Sequence, residues 1–157
     1  MESIVMEAKG ITKKYRGNAA LNNVSLRLQK GKIYGFIGQN GAGKTTLIRM
    51  ITGLAFPTEG EISLWGKSGE RELQEQRKRI GSLIEGPALY GNMTAYQNME
   101  VQRIQRGIPD RSVIDKTLEL VGLSDTGKKK VRNFSLGMRQ RLGIAAALLN
   151  TPEFLIL

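Results

Sequence analysis

The chain has 157 residues, with 24 Lys and Arg against 14 Asp and Glu, a formal net charge of +10. That length suffices for one ordinary domain with a hydrophobic core. The absence of cysteine excludes a disulfide framework and a thiolate metal site. The longest apolar stretch, residues 142–149, contains Gly143 and is far shorter than the roughly twenty residues of a membrane span. The sequence therefore predicts a soluble, cytosolic domain that reaches a membrane only through a partner.

The positive charge is concentrated in two short runs, residues 77–79 and 128–132. A basic chain raises nucleic acid as a partner. Neither run, however, is interleaved with the aromatic residues on which bases stack. We interpret both runs as solvated surface, and we expect no direct nucleic-acid partner.

Two strand patterns precede the first motif. Within residues 3–28, short apolar segments alternate with turn residues, and apolar residues recur with a period of two from Val24 to Leu28. This alternation predicts a half-buried antiparallel strand. The nearly continuous apolar run at 33–37 predicts a strand buried on both faces of a parallel sheet.

A glycine-rich motif follows that run and matches the phosphate-loop pattern G-x-x-x-x-G-K-[ST] at every position. Its residues are Gly38, Gln39, Asn40, Gly41, Ala42, Gly43, Lys44 and Thr45. A loop that wraps a polyphosphate turns its N–H groups inward, which calls for positive φ and close backbone approach, and glycine allows both. The motif predicts binding of a nucleoside triphosphate.

The side chains that end the motif have distinct expected roles. Lys44 reaches the β- and γ-phosphates, and the Thr45 hydroxyl is a ligand of Mg²⁺. Thr46 is placed to meet the α-phosphate. The helix that begins here adds free N–H groups and a dipole that attract anions.

The remaining chain predicts an α/β fold. Leu47, Ile48, Ile51 and Leu54 lie on one face of the helix after the loop. The later pattern predicts strands at 60–66, 80–84 and 153–157, the last buried and parallel, and helices at 70–79, 94–106, 111–121 and 136–149. This is an N-terminal antiparallel β subdomain followed by a parallel-sheet core, with a helical subdomain at about 86–134.

A second motif, residues 134–142, opens the predicted helix at 136–149. It resembles the signature sequence of ATP-binding cassette (ABC) proteins, L-S-G-G-Q-x-Q-R, through Ser135, Gly137, Gln140 and Arg141. Phe134, Leu136 and Met138 depart from that consensus. Considered alone, Ser135 is equally a good N-cap for the helix that follows.

The resemblance extends along residues 1–157 and implies one P-loop ATP-binding domain of ABC type that uses ATP and Mg²⁺. It implies a head-to-tail homodimer of the full-length protein, in which Ser135 and Gly137 face the γ-phosphate of ATP held by the other subunit. Tyr15, upstream of the phosphate loop, matches the aromatic residue that stacks on adenine; a surface or core tyrosine is the alternative.

The family also implies integral membrane permease subunits, which hold the domain at the inner face of the plasma membrane. By resemblance, residues 86–106 form the docking region for the permease. Tyr90 and Met93 are candidate contacts there, although either could equally be a buried core residue.

One departure bears on catalysis. The family usually has a glutamine after the strand at 80–84, where it touches Mg²⁺ and the attacking water, whereas this chain has Glu85. Since a carboxylate is a hard oxygen ligand, we expect Glu85 to replace the glutamine as a metal ligand and to act with Lys44 in catalysis. An exposed loop glutamate is the alternative.

The combination of residues 82–90 with 134–138 looks like the subgroup that exports bacitracin and lantibiotic peptides. A soluble ABC ATPase acting on the ribosome and a non-catalytic nucleotide-binding fragment are the alternatives. Chromosome ATPases are disfavoured because no sustained heptads lie between the two motifs.

In the family, the strand at 153–157 is followed by an aspartate that orders Mg²⁺ and a glutamate that polarises the attacking water, and a histidine comes later. This sequence contains none of the three at those positions. We therefore expect the first two thirds of an ABC ATPase, which binds ATP but hydrolyses it negligibly. We also expect its incomplete sheet to favour association or low stability.

Overall fold

The computed structural model describes residues 3–157, which form two compact units. The first unit extends to Lys78 and the second begins at Arg79. Among the described residues, no helix has both the length and the apolarity needed to cross a bilayer.

The first unit contains an antiparallel sheet with the strand order β2-β1-β3. Its strands are β1 (Ile4–Tyr15), β2 (Asn18–Gln29) and β3 (Glu59–Leu64). Arg16 and Gly17 join β1 to β2 with φ of 47° and 89°, and such a turn of two positive φ values matches the twist of a hairpin. The half-buried strand predicted around residues 24–28 is confirmed, because Leu26 is partly buried while its neighbour Arg27 is exposed.

Two helices complete this unit, α1 (Lys44–Ile51) and α2 (Glu70–Arg77). Helix α1 buries Leu47, Met50 and Ile51. The prediction that Leu54 continues this face is wrong. The helix ends at Ile51, Gly53 takes a left-handed φ of 84°, and Leu54 is 70% exposed.

The predicted buried strand at 33–37 is also wrong. Ile33 is fully exposed and Ile37 is 95% exposed, and no strand within residues 3–157 pairs with this segment. The apolar composition is that of a buried strand, but a strand is stabilised by ladder hydrogen bonds, which require a neighbour. The segment leads directly into the glycine-rich loop.

The second unit is mainly helical. It contains α3 (Ala95–Gln105), α4 (Ser112–Leu120) and α5 (Leu136–Leu148), with 3₁₀ turns at Ser124–Thr126 and Val131–Asn133. These helices confirm the predicted ones to within one or two residues. Their shared core is formed by Ala95, Met99, Ile114, Leu118, Leu123, Val131, Phe134, Leu142, Ala145 and Leu149.

A short parallel sheet pairs β4 (Ile80–Ser82) with β5 (Phe154–Ile156). Both predicted strands are confirmed, although each is shorter than expected. β5 is not buried as predicted, since Leu155 is 37% exposed. Gly81 lies so close to the carbonyl of Ala147 in α5 that a Cβ on this glycine would overlap the carbonyl oxygen. This contact fixes β4 against α5.

Candidate nucleotide-binding site

The glycine-rich loop turns tightly before α1 begins. Gly41 and Gly43 have φ of 84° and 85°, in the left-handed region that favours glycine. The Ala42 N–H donates to the carbonyl of Gln39 over 3.2 Å, which closes the turn around Asn40. Positive φ is therefore required at two of the three motif glycines.

Gly38, the first motif glycine, differs from that expectation, because its φ is not positive. A Cβ placed there would lie 3.5 Å from the Ala42 Cβ, an ordinary van der Waals distance. In this conformation neither strain nor crowding demands glycine at position 38.

Gly43 is constrained twice. Besides its φ of 85°, a Cβ on it would overlap the carbonyl oxygen of Ala20 and lie 2.6 Å from Leu21 Cδ2. Both residues belong to β2, so the sheet packs directly on the backbone at the start of α1. This long-range contact could not be found from the motif.

The N-terminus of α1 offers donors for an anion. The first intrahelical bond runs from the Leu47 N–H to the Gly43 carbonyl, so the N–H groups of Lys44, Thr45 and Thr46 have no acceptor within the helix. The first turn contains no acidic residue that would compensate the positive end of the helix dipole.

The Lys44 ammonium lies across the loop. Its Nζ donates to the carbonyl oxygens of Gly38 at 2.6 Å and Gln39 at 2.7 Å. The loop thus combines a cation, N–H groups without an acceptor within the helix and a hydroxyl at Thr45. The cation and the N–H groups fit the phosphate oxygens of a nucleoside triphosphate, and the Thr45 hydroxyl oxygen fits its magnesium ion.

Tyr15 ends β1 beside the hairpin turn and is 46% exposed. The Lys13 Nζ lies 5.0 Å from the centroid of its ring, a cation–π distance. The exposed ring can accept a planar base, since aromatic faces stack in offset geometry.

The second motif begins α5. The Ser135 hydroxyl oxygen accepts a 3.2 Å hydrogen bond from the Met138 N–H, so Ser135 is the N-cap of the helix. This confirms the interpretation of Ser135 as an N-cap. An added Cβ on Gly137 would meet nothing within 4 Å, and Leu136 is 68% exposed. The helix N-terminus is open to an incoming group.

Arg141 of this motif has a structural role that the pattern did not reveal. Its guanidinium NH1 donates to the carbonyls of Val121 at 3.2 Å and Gly122 at 3.0 Å, which follow α4. Arg141 therefore caps α4 and ties it to α5.

Glu85 follows β4 in a strained conformation, with φ of 58°. The Leu83 N–H donates to the Ile156 carbonyl over 2.9 Å, which extends the β4–β5 ladder to two residues before Glu85. A Cβ on Gly143 of α5 would lie 2.7 Å from the Pro87 Cβ, so the segment after Glu85 packs closely on α5. Positive φ also occurs at four other non-glycine residues of residues 3–157, Arg16, Asn23, Trp65 and Thr151, so the backbone at Glu85 does not by itself assign a function.

The predicted docking region is organised by Asn98, which is 97% buried and was missed in the sequence. Its side chain accepts from the Tyr90 N–H at 2.7 Å and donates to the carbonyls of Tyr90 and Thr94. Thr94 and Gln97 form a capping box at the start of α3. The pattern T-x-x-Q is the local signal of this helix start, which the sequence predicted at residue 94.

Beside this network lies a surface groove of about 290 Å³. Its lining residues are Met93, Tyr96, Gln97, Glu100, Val101 and Arg111. Met93 thus faces a concave surface, whereas Tyr90 is 47% exposed outside it.

Comparison with known proteins identifies relatives for almost the whole chain. The model of the ABC transporter family matches residues 21–157. The bacitracin transport ATP-binding protein BcrA of Enterococcus faecalis is 44% identical over 153 residues, which cover 98% of this chain and 50% of BcrA. The lantibiotic transport ATP-binding protein SrtF of Streptococcus pyogenes is 42% identical, over 98% of this chain and 65% of SrtF.

Solved structures show the same fold. A dimeric ATP-binding cassette in a post-hydrolysis state, bound to ADP and phosphate, superposes with a TM-score of 0.81 at 29% identity, covering 94% of this chain and 70% of that one. The chain spans about half the length of the bacitracin transport relatives it matches.

Proposed function

The chain belongs to the ABC transporter family as an ATP-binding domain, and on this basis we propose that it binds Mg·ATP and powers export through separate membrane subunits. The observation that carries the proposal is the start of α1. There two left-handed glycines, the free N–H groups of the first turn and the Lys44 ammonium form one anion-binding loop. The helix dipole and the cation act on the same phosphate groups.

Each residue of the loop has a proposed role. Lys44 would exchange its two carbonyl acceptors for phosphate oxygens, and the Thr45 hydroxyl would hold Mg²⁺. Thr46 would bind the α-phosphate, and Tyr15 would stack on adenine. The backbone cradle is Gly38, Gln39, Asn40, Gly41, Ala42 and Gly43.

We also propose Glu85 as an oxygen ligand of Mg²⁺, by resemblance to the glutamine that the family usually has after this strand. Its left-handed backbone is compatible with this role, because such strain is retained where the surrounding structure holds a side chain in a required direction. For the whole protein we propose that Glu85 and Lys44 contribute to hydrolysis. For residues 1–157 alone we propose nucleotide binding with negligible turnover.

Ser135 and Gly137 are proposed to bind the γ-phosphate of ATP held by a second subunit. The open N-terminus of α5 supports this role, since Gly137 leaves room for a phosphate group and the Ser135 hydroxyl hydrogen is not used by its cap. A dimeric cassette among the structural neighbours supports a homodimer of the full-length protein.

The proposed cargo is a peptide antibiotic, because relatives at 42–44% identity are named for bacitracin and lantibiotic transport. Permease subunits would dock on residues 86–106 and hold the domain at the inner face of the membrane. The groove lined by Met93 and Tyr96 is the proposed contact surface. A ribosome-acting ATPase is the alternative, and a neighbouring gene for membrane spans would decide for transport.

The decisive experiment measures binding of a fluorescent ATP analogue with Mg²⁺ to the purified chain and to Lys44→Ala. We expect binding by the parent protein and about a hundredfold weaker binding by the variant, since hydrogen bonds between a cation and phosphate oxygens are charge-assisted. The control is Lys67→Ala, which removes a surface ion pair to Glu72 in the same unit. Absence of binding by the parent protein would refute the proposal.

A further inference from the structure

The C-terminal end of α1 is capped by a side chain from α2. Arg77 Nε donates to the Ile51 carbonyl at 3.1 Å, and its NH2 group donates to the Met50 carbonyl at 3.3 Å. The last carbonyls of a helix have no partner within it. Arg77 therefore supplies a partner for the Ile51 carbonyl and a second partner for the Met50 carbonyl, which also accepts from the Gly53 N–H at 3.2 Å.

Other carbonyls in the last turn of α1 accept hydrogen bonds from the N–H groups of the residues that follow the helix. The Thr52 N–H donates to the Ile48 carbonyl at 3.0 Å, and the Leu54 N–H donates to the Arg49 carbonyl at 2.7 Å. Gly53 takes a left-handed φ of 84°, as is common after a helix end. A Cβ on Gly53 would lie 2.9 Å from the Arg77 Nε and Cζ, so the glycine makes room for the guanidinium.

The guanidinium is partly buried beside this turn. Desolvation lowers the pKa of Arg77 from its usual value, while the nearby Glu70 carboxylate opposes that change. A planar guanidinium with fixed donors suits two adjacent carbonyls better than an ammonium does. The position thus uses both the charge and the shape of arginine.

Helix α1 is only eight residues long, or about 12 Å. Its first residue is Lys44, and the backbone immediately before it is pressed against β2 at Gly43. Its buried face consists of Leu47, Met50 and Ile51. The helix is therefore held at both ends and along one side, and a shift at its C-terminus displaces its N-terminus.

We propose that Arg77 is a positioning residue for phosphate binding, which fixes α1 so that Lys44 and the free N–H groups of the first turn stay directed at the nucleotide. A cation at the C-terminal end of the helix also complements its dipole, whose positive end faces the phosphates. This inference rests on the proposed function but adds a residue that makes no contact with the loop.

The test compares Arg77→Met, Arg77→Lys and Leu73→Ala. Leu73 is a buried residue of the same helix, and it lines the same small cavity as Arg77. It makes none of the carbonyl contacts of Arg77, and Leu73→Ala therefore reports the effect of lost packing around α2 with the cap on α1 retained. Affinity for a fluorescent ATP analogue with Mg²⁺ is measured well below the melting temperature of each variant.

We expect Arg77→Met to weaken nucleotide binding about tenfold, Arg77→Lys to weaken it less, and Leu73→Ala to change it less than about twofold despite lost thermal stability. If Arg77→Met does not fold, the inference is tested with Arg77→Lys, for which we expect about threefold weaker nucleotide binding. Equal affinity of the folded arginine variants and the parent overturns the inference alone. A loss of affinity in Leu73→Ala as large as that in Arg77→Met also overturns the inference alone. A parent protein that does not bind overturns the proposed function and this inference together.

Discussion

Gly43 lies directly against the Ala20 carbonyl, so that the strand β2 packs on the backbone before α1 and leaves no room for a Cβ at position 43. The contact couples the sheet of the first unit to the start of the helix that presents Lys44. It makes Gly43 a packing residue as well as a turn residue.

Substitution of Gly43 by alanine should therefore disrupt both folding and binding. The left-handed φ of 85° costs an L-residue about 1–2 kcal/mol, and the overlap with Ala20 adds displacement of β2 or α1. The matched control is Gly41→Ala, because Gly41 has nearly the same φ of 84° but nothing within 4 Å of an added Cβ. We expect a clearly larger loss of thermal stability in Gly43→Ala. Equal melting temperatures would show that the contact with β2 can relax freely.

Replacement of Tyr15 by alanine should weaken ATP binding about threefold to tenfold, the range expected for a lost aromatic stacking interaction. Tyr15→Phe should retain the affinity, because stacking uses the ring and not the hydroxyl group. Tyr90→Ala is the control, since Tyr90 is 47% exposed against 46% for Tyr15 and lies in the second unit. Titration with the fluorescent analogue measures all three variants. If Tyr15→Ala bound ATP with unchanged affinity, Tyr15 would be a surface tyrosine that does not stack on adenine.

Substitution at Glu85 separates metal binding from backbone strain. Glu85→Ala should raise the Mg²⁺ concentration needed for tight ATP binding about tenfold, whereas Glu85→Gln should have a smaller effect because its amide oxygen remains a ligand. Glu85→Gly removes the strain of φ 58° as well as the carboxylate. It should therefore match Glu85→Ala in Mg²⁺ dependence and exceed it in stability. The same Mg²⁺ dependence in the parent and Glu85→Ala would disprove the metal role.

Loss of the Ser135 hydroxyl should destabilise the second unit. Ser135→Ala removes the acceptor for the Met138 N–H, which costs about 1 kcal/mol and lowers the melting temperature by about 2–4 °C. Ser135→Asp keeps a capping oxygen and should stay near the parent value. Calorimetry of the three proteins distinguishes the outcomes, and equal stability of Ser135→Ala and the parent would show that the cap contributes little.

Acid should weaken the fold through Glu100. The Arg103 guanidinium, which hydrogen-bonds the carboxylate at 2.7 Å, and Arg111 at 2.8 Å hold the pKa of Glu100 below its ordinary value of 4.5. A lowered pKa in the folded state means that the ionised group stabilises the protein above the ordinary pKa, and this contribution is lost as the pH falls through the lowered one.

The stability difference between Glu100→Gln and the parent should thus be constant above about pH 5 and shrink at lower pH. Denaturant unfolding across this range measures the difference. Glu119→Gln, an exposed change on α4, is the control. A difference that is independent of pH down to about pH 3 would contradict the assigned cause.

Local chemistry explains what the sequence determined by itself. Glycine, lysine and threonine at fixed spacing specify the turn before α1, and Ser135 specifies the start of α5, because turns and caps depend on residues within a few positions of one another. The sequence pattern predicted each of the five α-helices found within residues 3–157, and the signature segment predicted the family to which the chain belongs.

Only the tertiary structure decided which distant segments pair or pack against one another. Residues 33–37 have the composition of a buried strand, yet they form none, since ladder pairing depends on a neighbour distant in sequence. For the same reason the sequence does not show that Arg77 caps α1 or that Ala20 touches Gly43. Both contacts join segments that are separated by more than twenty residues, and only packing brings such segments together.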